Sequence, residues 1–408
     1  CGKTTLFKII CGQEDYDKGE IYKSNSTNIG YIEQFACSDS ALTLYNELLT
    51  IFSNLQNIEK DLSQLESAIS LGNGDIDALI ERQHRLSIEY EKNGGYTYKS
   101  IASSTLIGLG FTKDDFDLQV SVLSGGQKTK LALAKMLLSN CNLILLDEPT
   151  NNLDIPSIEW LENFLINYKG SFIVVSHDRY FLDKVTSETF ELENKRLTMY
   201  PGNYSTYLKL KAENQKAISK KYETTQKEIN RIEGIIEQQK TWSQERNYKI
   251  IRNKQKMIDR LESSLVAPDK ELEKLSFKFK TISGGNLEVL KICNLSKSFD
   301  GKKIFENISL EILKKERVFL IGPNGCGKTT LLKIIEGLLP PDNGTCSIGS
   351  NMKVAYYHQS NEDWFYLNKS ILDFVWESYP KLSQTEVRNA LAIFLFKGED
   401  VFKNISSL

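Results

Sequence analysis

The sequence predicts an α/β fold in which two copies of one domain are joined by a long antiparallel α-helical hairpin. A ten-residue segment that starts at Cys1 recurs at Cys326 with nine identical positions. The spacing of 325 residues far exceeds the roughly 20–50 residues of a solenoid repeat, so we interpret a duplicated domain with extra sequence between its copies. The extra sequence includes a charged stretch without proline from Gly202 to Ala267, which is typical of long helices.

The composition limits the classes of protein to which the chain can belong. Its 408 residues correspond to about two to four domains of roughly 100–200 residues each. Lys plus Arg number 51 and Asp plus Glu number 53, and the net charge of −2 excludes a uniformly basic nucleic-acid-binding protein. No apolar run approaches the ~20 residues of a membrane helix, and the seven cysteines form no C-x-x-C pair. We therefore expect a soluble, cytoplasmic chain without a zinc site or a disulfide framework.

The second copy carries a complete phosphate-binding loop. Residues 322–329 match G-x-x-x-x-G-K-[ST]; they follow an apolar run at 317–321 that predicts a strand, and a helical pattern comes after them. Glycines in such a loop let backbone N–H groups surround the phosphates, the lysine contacts the β- and γ-phosphates, and the Ser/Thr hydroxyl binds Mg²⁺. The predicted ligands are Gly322, Asn324, Gly325, Gly327, Lys328, Thr329 and Thr330 in the second copy and Gly2, Lys3, Thr4 and Thr5 in the first, with the metal on Thr4 and Thr329.

Three further motifs narrow the class, because adenylate kinases, GTPases and helicases also have a phosphate-binding loop. The first copy contains LSGGQ at 123–127, LILLDEPT at 143–150 and VVSHD at 174–178, in this order. With the loop, they resemble the ATP-binding cassette (ABC) ATPases, and the resemblance implies two P-loop NTPase cassettes that pair within the chain and enclose ATP and Mg²⁺. In that arrangement the signature of one cassette contacts the nucleotide held by the other, through Ser124, Gly125, Gly126 and Gln127.

The same resemblance assigns roles to single residues. Asp147 would hold Mg²⁺, directly or through water, and Glu148 would polarise the attacking water as the general base. His177 would sense the γ-phosphate. The remaining candidates are Gln34 and Gln359, as Mg²⁺ ligands close to the water, and Phe299, as the ring that stacks on adenine. A core position fits Phe299 almost as well.

Three segments outside these motifs resemble one branch of the class, the ABC-F family. They are NLD at 152–154, SHDRYFLDKV at 176–185 and GNYSTYL at 202–208; the family usually has His where Asn152 stands. ABC-F proteins are soluble tandem cassettes that hydrolyse ATP and act as ribosome-associated translation factors, so the resemblance implies rRNA and P-site tRNA as partners. Three alternatives stay open: the motor subunit of a membrane transporter, a ribosome-protection protein in antibiotic resistance, and an ATP-gated scaffold without catalysis.

The predicted domains are a first cassette at 1–200, a helical linker at 201–285 and a second cassette at 286–408. Because the chain starts inside one motif and ends inside another, we expect both cassettes to be incomplete and their ATP hydrolysis to be impaired. The first cassette contains an extra helical arm near 53–95, where apolar residues recur at helical spacing on both sides of a Gly-Asn-Gly break at 72–74. Its eight acidic and four basic residues favour protein as much as RNA as its contact.

The linker combines a helical pattern with positive charge. Residues 205–285 contain 18 basic and 11 acidic side chains, a net +7 in a chain whose total is −2. Seven of the basic residues lie between 240 and 260, where only two are acidic: Lys240, Arg246, Lys249, Arg252, Lys254, Lys256 and Arg260. A surface of one sign on an otherwise acidic protein favours phosphate-rich RNA as its partner.

Overall fold

A computed structural model describes most of the chain. It covers residues 2–32, 40–72, 75–241, 245–263, 265, 288–299, 301–350, 352, 354–357 and 368–407, with only the backbone for 241 and 245–250. The chain divides into two units, residues 1–217 and 218–408. Among the described helices, none combines the length and the apolar character needed to cross a lipid bilayer.

The first unit contains a three-stranded parallel sheet. Its strands are β1 (Ile29–Tyr31), β2 (Leu143–Asp147) and β3 (Ser171–Val175), in the order β1-β2-β3. Ile144, Leu145 and Leu146 of β2 are fully buried, because a parallel strand is covered on both faces. In the pairing of β2 with β3, Asp147 lies opposite Val175. Asp147 is therefore at the carboxyl edge of the sheet, where parallel sheets bind ligands.

The alternating side chains of β2 point into two separate hydrophobic clusters. Leu145 packs with Phe7 and Tyr31 on the face that α1 (Lys3–Cys11) covers. Ile144 and Leu146 belong to the larger cluster, to which seven helices contribute. These helices are α2 (Leu44–Leu49), α3 (Ser53–Ser70), α4 (Ile76–Lys92), α5 (Tyr98–Gly108), α6 (Gly125–Leu138), α7 (Ile155–Ile166) and α8 (Arg179–Val185).

The helical arm predicted near 53–95 is present as α3 and α4. Leu55, Ile58 and Leu65 of α3 are buried, as is Tyr90 of α4, and the two helices pack against each other. The predicted break falls between them, although residues 73 and 74 lie outside the described part. The helical periodicity predicted this segment correctly, because most of the apolar positions that define the period are buried or half-buried.

A β-hairpin precedes a long helix. The hairpin strands are β4 (Glu188–Glu193) and β5 (Arg196–Pro201), and the helix is α9 (Tyr204–Thr241). Asn194 and Lys195 have φ values of +49° and +62°, as a two-residue type I′ turn requires. Lys211 of α9 bonds to the carboxylates of Glu191 and Glu193. Burial alone would lower the pKa of Lys211, but these hydrogen bonds raise it, so the ion pairs hold α9 on the hairpin.

The described residues of the second unit form three hydrophobic clusters. Its elements are α10 (Glu245–Ser263), β6 (Glu288–Phe299), β7 (Lys302–Leu313), α11 (Lys328–Glu336), β8 (Asn343–Ile348), α12 (Ile371–Ser378) and α13 (Gln384–Ile393). Ile229, Ile232 and Ile236 of α9 pack with Ile258 of α10. Helix α11 packs on an antiparallel sheet of order β7-β6-β8, and α12 packs with α13.

The two helices predicted within the linker are observed. Helix α9 contains 38 residues and is about 57 Å long at ~1.5 Å per residue. The buried isoleucines of α9 recur at spacings of three and four residues, as expected for one apolar face of a helix. That the helices form the antiparallel connection between two cassettes stays a prediction, because residues 242–244 and 266–287 lie outside the described part.

One predicted strand is wrong. Residues 317–321, expected as the strand before the phosphate-binding loop, have no β-structure, and Phe319 is 82% exposed. A strand needs a neighbour that supplies its backbone hydrogen bonds. The described residues of the second unit offer only the antiparallel sheet of β6, β7 and β8, and none of its strands pairs with this segment. An apolar pattern shows the preference for a strand and cannot show its neighbour.

An ion pair joins β6 to the residue before β8. The Lys297 ammonium donates to Asp342 Oδ1 at 2.7 Å, and Ser298 donates to Asp342 Oδ2 through both its N–H and its hydroxyl. These hydrogen bonds lower the pKa of Asp342 from 3.8 to about 2. A carboxyl group whose pKa is lowered by folding stabilises the fold above its unfolded pKa. That contribution is lost as the pH falls towards the folded value.

We expect Asp342→Asn to lower the unfolding temperature at about pH 5. Between about pH 5 and about pH 2, the unfolding temperature of this variant should fall less than that of wild type. Calorimetry of the full chain across this range measures both effects. Glu306→Gln is the control, since Glu306 forms an exposed ion pair with Lys303. If Asp342→Asn keeps the wild-type pH dependence, the ion pair with Lys297 does not contribute as described.

Candidate nucleotide-binding site

Two side chains from distant parts of the sequence meet at the carboxyl edge of the parallel sheet. Thr4 Oγ1 donates a hydrogen bond to Asp147 Oδ2 at 2.7 Å. Thr4 lies in the first turn of α1, which follows Gly2 with its left-handed φ of +76°. Packing of Phe7 against Leu145 holds α1 beside β2. The structure thus brings together two of the residues predicted to bind Mg²⁺.

Glu148 occupies a strained position directly after β2. Its φ of +48° is uncommon for a residue other than glycine, and such strain is often found at functional sites. Its N–H donates to Val175 O at 2.8 Å, and its Oε2 accepts the His177 N–H at 3.2 Å. Its Oε1 is buried and lies 3.5 Å from His177 Nε2, too far for a good hydrogen bond. Among the described residues, Oε1 therefore has no hydrogen-bond partner.

Hydrogen bonds fix the two loops that carry these groups. Thr150 Oγ1 and Ser176 Oγ are 3.3 Å apart and join the loop after β2 to the loop after β3. Asp154 ends the first loop and caps α7, and Asp178 ends the second and caps α8. The His177 side chain, which is 87% exposed, therefore projects from a backbone that is held in place on both sides.

The LSGGQ motif forms the N-terminus of α6. The Ser124 hydroxyl accepts the Gln127 N–H, and Gln127 Oε1 accepts the Ser124 N–H at 2.9 Å, which completes a capping box. A side chain added at Gly125 or Gly126 would meet no atom within 4 Å. The first turn of α6 is therefore accessible, as a phosphate-binding helix terminus must be. Contact of this terminus with a nucleotide stays a prediction.

The phosphate-binding loop of the second copy depends on its glycines. Gly325 and Gly327 have φ values of +80° and +95°. A Cβ atom at Gly327 would lie 2.4 Å from Ile304 Cγ2 and 3.0 Å from Phe305 Cδ1, so only glycine fits without movement of β7 side chains. Lys328 Nζ donates to two carbonyl oxygens of the loop at 2.7 Å each. Lys328 therefore lies against the loop that it is predicted to serve.

Phe299 is not a core aromatic, the alternative that the sequence left open. It ends β6 with 44% of its surface exposed. Lys297 Nζ lies 5.3 Å from the centroid of its ring. The exposed ring leaves surface for a planar ligand, and its contact with adenine stays a prediction.

The remaining predicted site residues differ in exposure, and two of them lie outside the described part of the chain. Gln34 and Gln359 lie outside the described residues. Thr5, Asn324 and Thr329 are exposed, and Lys3, Gly322 and Thr330 are half-buried. In the basic set of the linker, Lys240, Arg252, Lys256 and Arg260 are exposed, Lys254 is half-buried, and only the backbone is described for Arg246 and Lys249.

The sequence did not reveal a buried charge between two of the motif helices. Lys130 of α6 is 7% exposed, and its ammonium donates to Leu109 O at 2.9 Å. Burial lowers the pKa of Lys130, and the nearby Asp154 carboxylate opposes this shift. Lys130 therefore links the LSGGQ helix electrostatically to the cap of α7. The only sequence signal for it is a lysine directly before the apolar run 131–134.

The groups at the sheet edge fit magnesium and a nucleoside triphosphate. The Thr4 hydroxyl and the Asp147 carboxylate are hard oxygen ligands of the kind that Mg²⁺ prefers. Lys3 and the N-terminus of α1 offer positive charge to phosphate oxygens. Glu148 Oε1 is a buried acceptor without a partner in the described part of the chain, so it is suited to accept a proton.

Comparisons with known proteins agree with this geometry. The family model described as ABC transporter matches residues 1–151 and 305–390, and a second model with the same description matches residues 190–279. The fold, the site and these matches together define ATP-binding cassettes of the ABC class.

The relatives narrow the class further. The chain is 39% identical over 409 residues to the protein YdiF of Bacillus subtilis, and the match covers 100% of this chain and 63% of that protein. It is 31% identical over 411 residues to the energy-dependent translational throttle protein EttA of Mycobacterium tuberculosis, covering 98% and 70%. It is 31% identical over 413 residues to ABC transporter F family member 2 of Arabidopsis thaliana, covering 100% and 60%. The chain belongs to the ABC-F family, and it spans less than two thirds of the first and third of these relatives.

We expect Gly327→Ala to destabilise the second phosphate-binding loop more than Gly337→Ala does. Both glycines have left-handed φ values, +95° and +84°, but a Cβ atom at Gly337 would meet nothing within 4 Å. Both variants carry backbone strain of roughly 1–2 kcal/mol, and only Gly327→Ala adds the collision with Ile304. The difference between their stabilities therefore measures the collision. Denaturant unfolding measures the stability and nucleotide titration measures the affinity. Equal losses in both variants would mean that Ile304 and Phe305 move aside at no cost.

Proposed function

We propose that the cassettes of this protein bind and hydrolyse ATP, and that this cycle operates a cytoplasmic, ribosome-associated translation factor. The observation that carries the proposal is the meeting of Thr4, Asp147, Glu148 and His177 at one sheet edge. A metal-binding hydroxyl, a metal-binding carboxylate and a second carboxylate for the water are the groups that phosphoryl transfer to water requires.

Each side chain has one task in the proposed site. When it is bound, Mg²⁺ neutralises negative charge on the β- and γ-phosphates. Thr4 and Asp147 hold the metal, and Lys3 binds phosphate oxygens. Glu148 Oε1 takes the proton of the attacking water, while the His177 N–H fixes the carboxylate through Oε2.

The nucleotide is proposed to control shape as well as chemistry. The exposed His177 ring can contact a γ-phosphate, and the accessible N-terminus of α6 can bind the γ-phosphate of a nucleotide held by another cassette. Both contacts are lost when the γ-phosphate leaves. Cassette pairing would therefore follow the nucleotide state as a two-state equilibrium.

Translation is the proposed setting of this cycle. A relative that covers nearly the whole chain is named a translational throttle protein. The exposed basic residues of α9 and α10 supply a surface that attracts polyanions, and rRNA and P-site tRNA are the proposed ligands. A role in antibiotic protection would use the same site, and drug sensitivity of a deletion strain would separate it from housekeeping translation.

We expect Glu148→Gln to reduce single-turnover ATP hydrolysis of the full-length protein about 10²–10⁴-fold, because glutamine keeps the shape of the side chain and loses the base. ATP affinity should be retained, and the ATP-bound form should sediment with ribosomes. Glu89→Gln is the control, since Glu89 is an exposed residue of the arm. Turnover at the wild-type rate in Glu148→Gln would show that Glu148 is not the base. Hydrolysis by protein that sediments only with membranes would favour a transporter subunit.

We expect charge reversal at Arg246, Lys249 and Arg252 to weaken ribosome binding and to reduce its dependence on salt. The logarithmic salt slope should fall by about 0.7–0.9 for each phosphate contact that is lost. Sedimentation at a series of potassium concentrations measures both quantities. The matched control reverses Lys216, Lys220 and Lys221, three exposed lysines in the first half of α9. Equal effects of the two triple variants would mean that the net charge of the linker matters and the position of the basic residues between 240 and 260 does not.

A further inference from the structure

Helix α8 begins beside the loop that carries His177. It starts at Arg179, and the Asp178 carboxylate accepts the N–H groups of Tyr180 and Phe181 at 3.0 and 3.1 Å. The Phe181 side chain is completely buried in the main cluster of the first unit. A displacement of the His177 backbone would therefore be passed to α8, because the cap joins the loop to the helix.

The other end of α8 holds the first turn of α9. Asp183 Oδ1 accepts the Ser205 N–H at 2.7 Å, and the Ser205 hydroxyl donates to Asp183 Oδ2. These hydrogen bonds lower the pKa of the Asp183 carboxyl group. Asn203 Nδ2 donates to the Asp183 carbonyl oxygen at 3.2 Å, and the Arg179 guanidinium lies 5.7 Å from the Tyr204 ring.

The loop of Glu148 reaches the same helix by a second route. It leads into α7, where Glu162 is almost completely buried. The Lys184 ammonium of α8 donates to Glu162 Oε2 at 2.7 Å. The ion pair thus joins an almost completely buried acid of α7 to a half-exposed lysine of α8. Both loops that face the proposed γ-phosphate are therefore connected to α8.

The hydrogen bonds of Asp183 are not required to cap α9. Asn203 is already placed to cap α9, since its Oδ1 accepts the Thr206 N–H at 3.2 Å and the Thr206 hydroxyl at 2.8 Å. The carboxylate of Asp183 comes from a different helix and binds the neighbouring amide. It joins two elements that the cap alone would leave independent.

We propose that Asp183 is a positioning residue that transmits the nucleotide state at Glu148 and His177 to the first turn of helix α9. The inference rests on the proposed ATP site of the first cassette. Loss of the γ-phosphate changes the position of the His177 loop, α8 moves with it, and the two hydrogen bonds to Ser205 carry α9 along. The basic residues further along α9 and in α10 are the proposed ribosome contacts, so this link would couple hydrolysis to ribosome release.

The test is hydrogen exchange of the backbone amides in residues 204–208 of the full-length protein. Exchange is measured with saturating Mg²⁺–ATPγS and with Mg²⁺–ADP, and binding of both nucleotides is measured in the same samples. In wild type we expect the exchange rates to differ between the two nucleotides. In Asp183→Ala we expect this difference to disappear while ATPγS still binds. Asp183→Asn, which keeps one carbonyl acceptor for the Ser205 N–H, should retain part of the difference and serves if Asp183→Ala does not fold.

Glu213→Ala is the matched control, since Glu213 is an exposed acid of α9 for which no contact to α8 is described. It should behave as wild type. If Asp183→Ala raises exchange equally with both nucleotides and the difference persists, Asp183 is only a helix cap and the proposal is wrong. A wild type that binds both nucleotides without any difference also overturns it. If ATPγS does not bind to wild type, the proposed ATP site itself fails, and the inference fails with it.

Discussion

The parallel pairing of β2 with β3 is the interaction on which the rest of the first cassette depends. Because Asp147 lies opposite Val175, the two strands end together, and the residues that follow them meet. The Glu148 N–H continues the pairing by donating to Val175 O, which places its carboxylate against the His177 N–H. A shift of one residue in this register would send Glu148 to the other face of the sheet and separate it from the His177 loop.

The next constraint is the packing of α1 on β2. Leu145 alternates with Ile144 and Leu146, so it alone of the three points towards Phe7. That contact sets the N-terminus of α1 at the same edge as Asp147, and the hydrogen bond from Thr4 follows from it. The proposed metal site therefore combines one helix terminus with one strand terminus, and buried apolar contacts hold both in place.

The loops at this edge have little freedom because helix caps end them. Asp154 and Asp178 each satisfy amides of the helix that follows, so α7 and α8 start at defined positions. The ion pair between Lys184 and Glu162 and the hydrogen bonds between Asp183 and Ser205 then extend the connected region to α9. Acidic and basic residues therefore have different places in the chain. Buried acids and acids that cap helices stabilise the cassette, and exposed basic residues are concentrated on α9 and α10.

The sequence by itself determined the class of protein, the motif residues, and the helices of the arm and linker, because these depend on local spacing. LSGGQ, Asp147-Glu148 and His177 are readable in order, and apolar residues at helical spacing in α3 and in the second half of α9 are buried. Tertiary structure alone decided which residues meet. The strand expected at 317–321 is absent because no described strand pairs with it, whereas the equally apolar β2 has two neighbours. The buried Lys130 and the link from Asp183 to Ser205 were invisible for the same reason: each is made by residues about 20 positions apart, and only packing of helices brings them together.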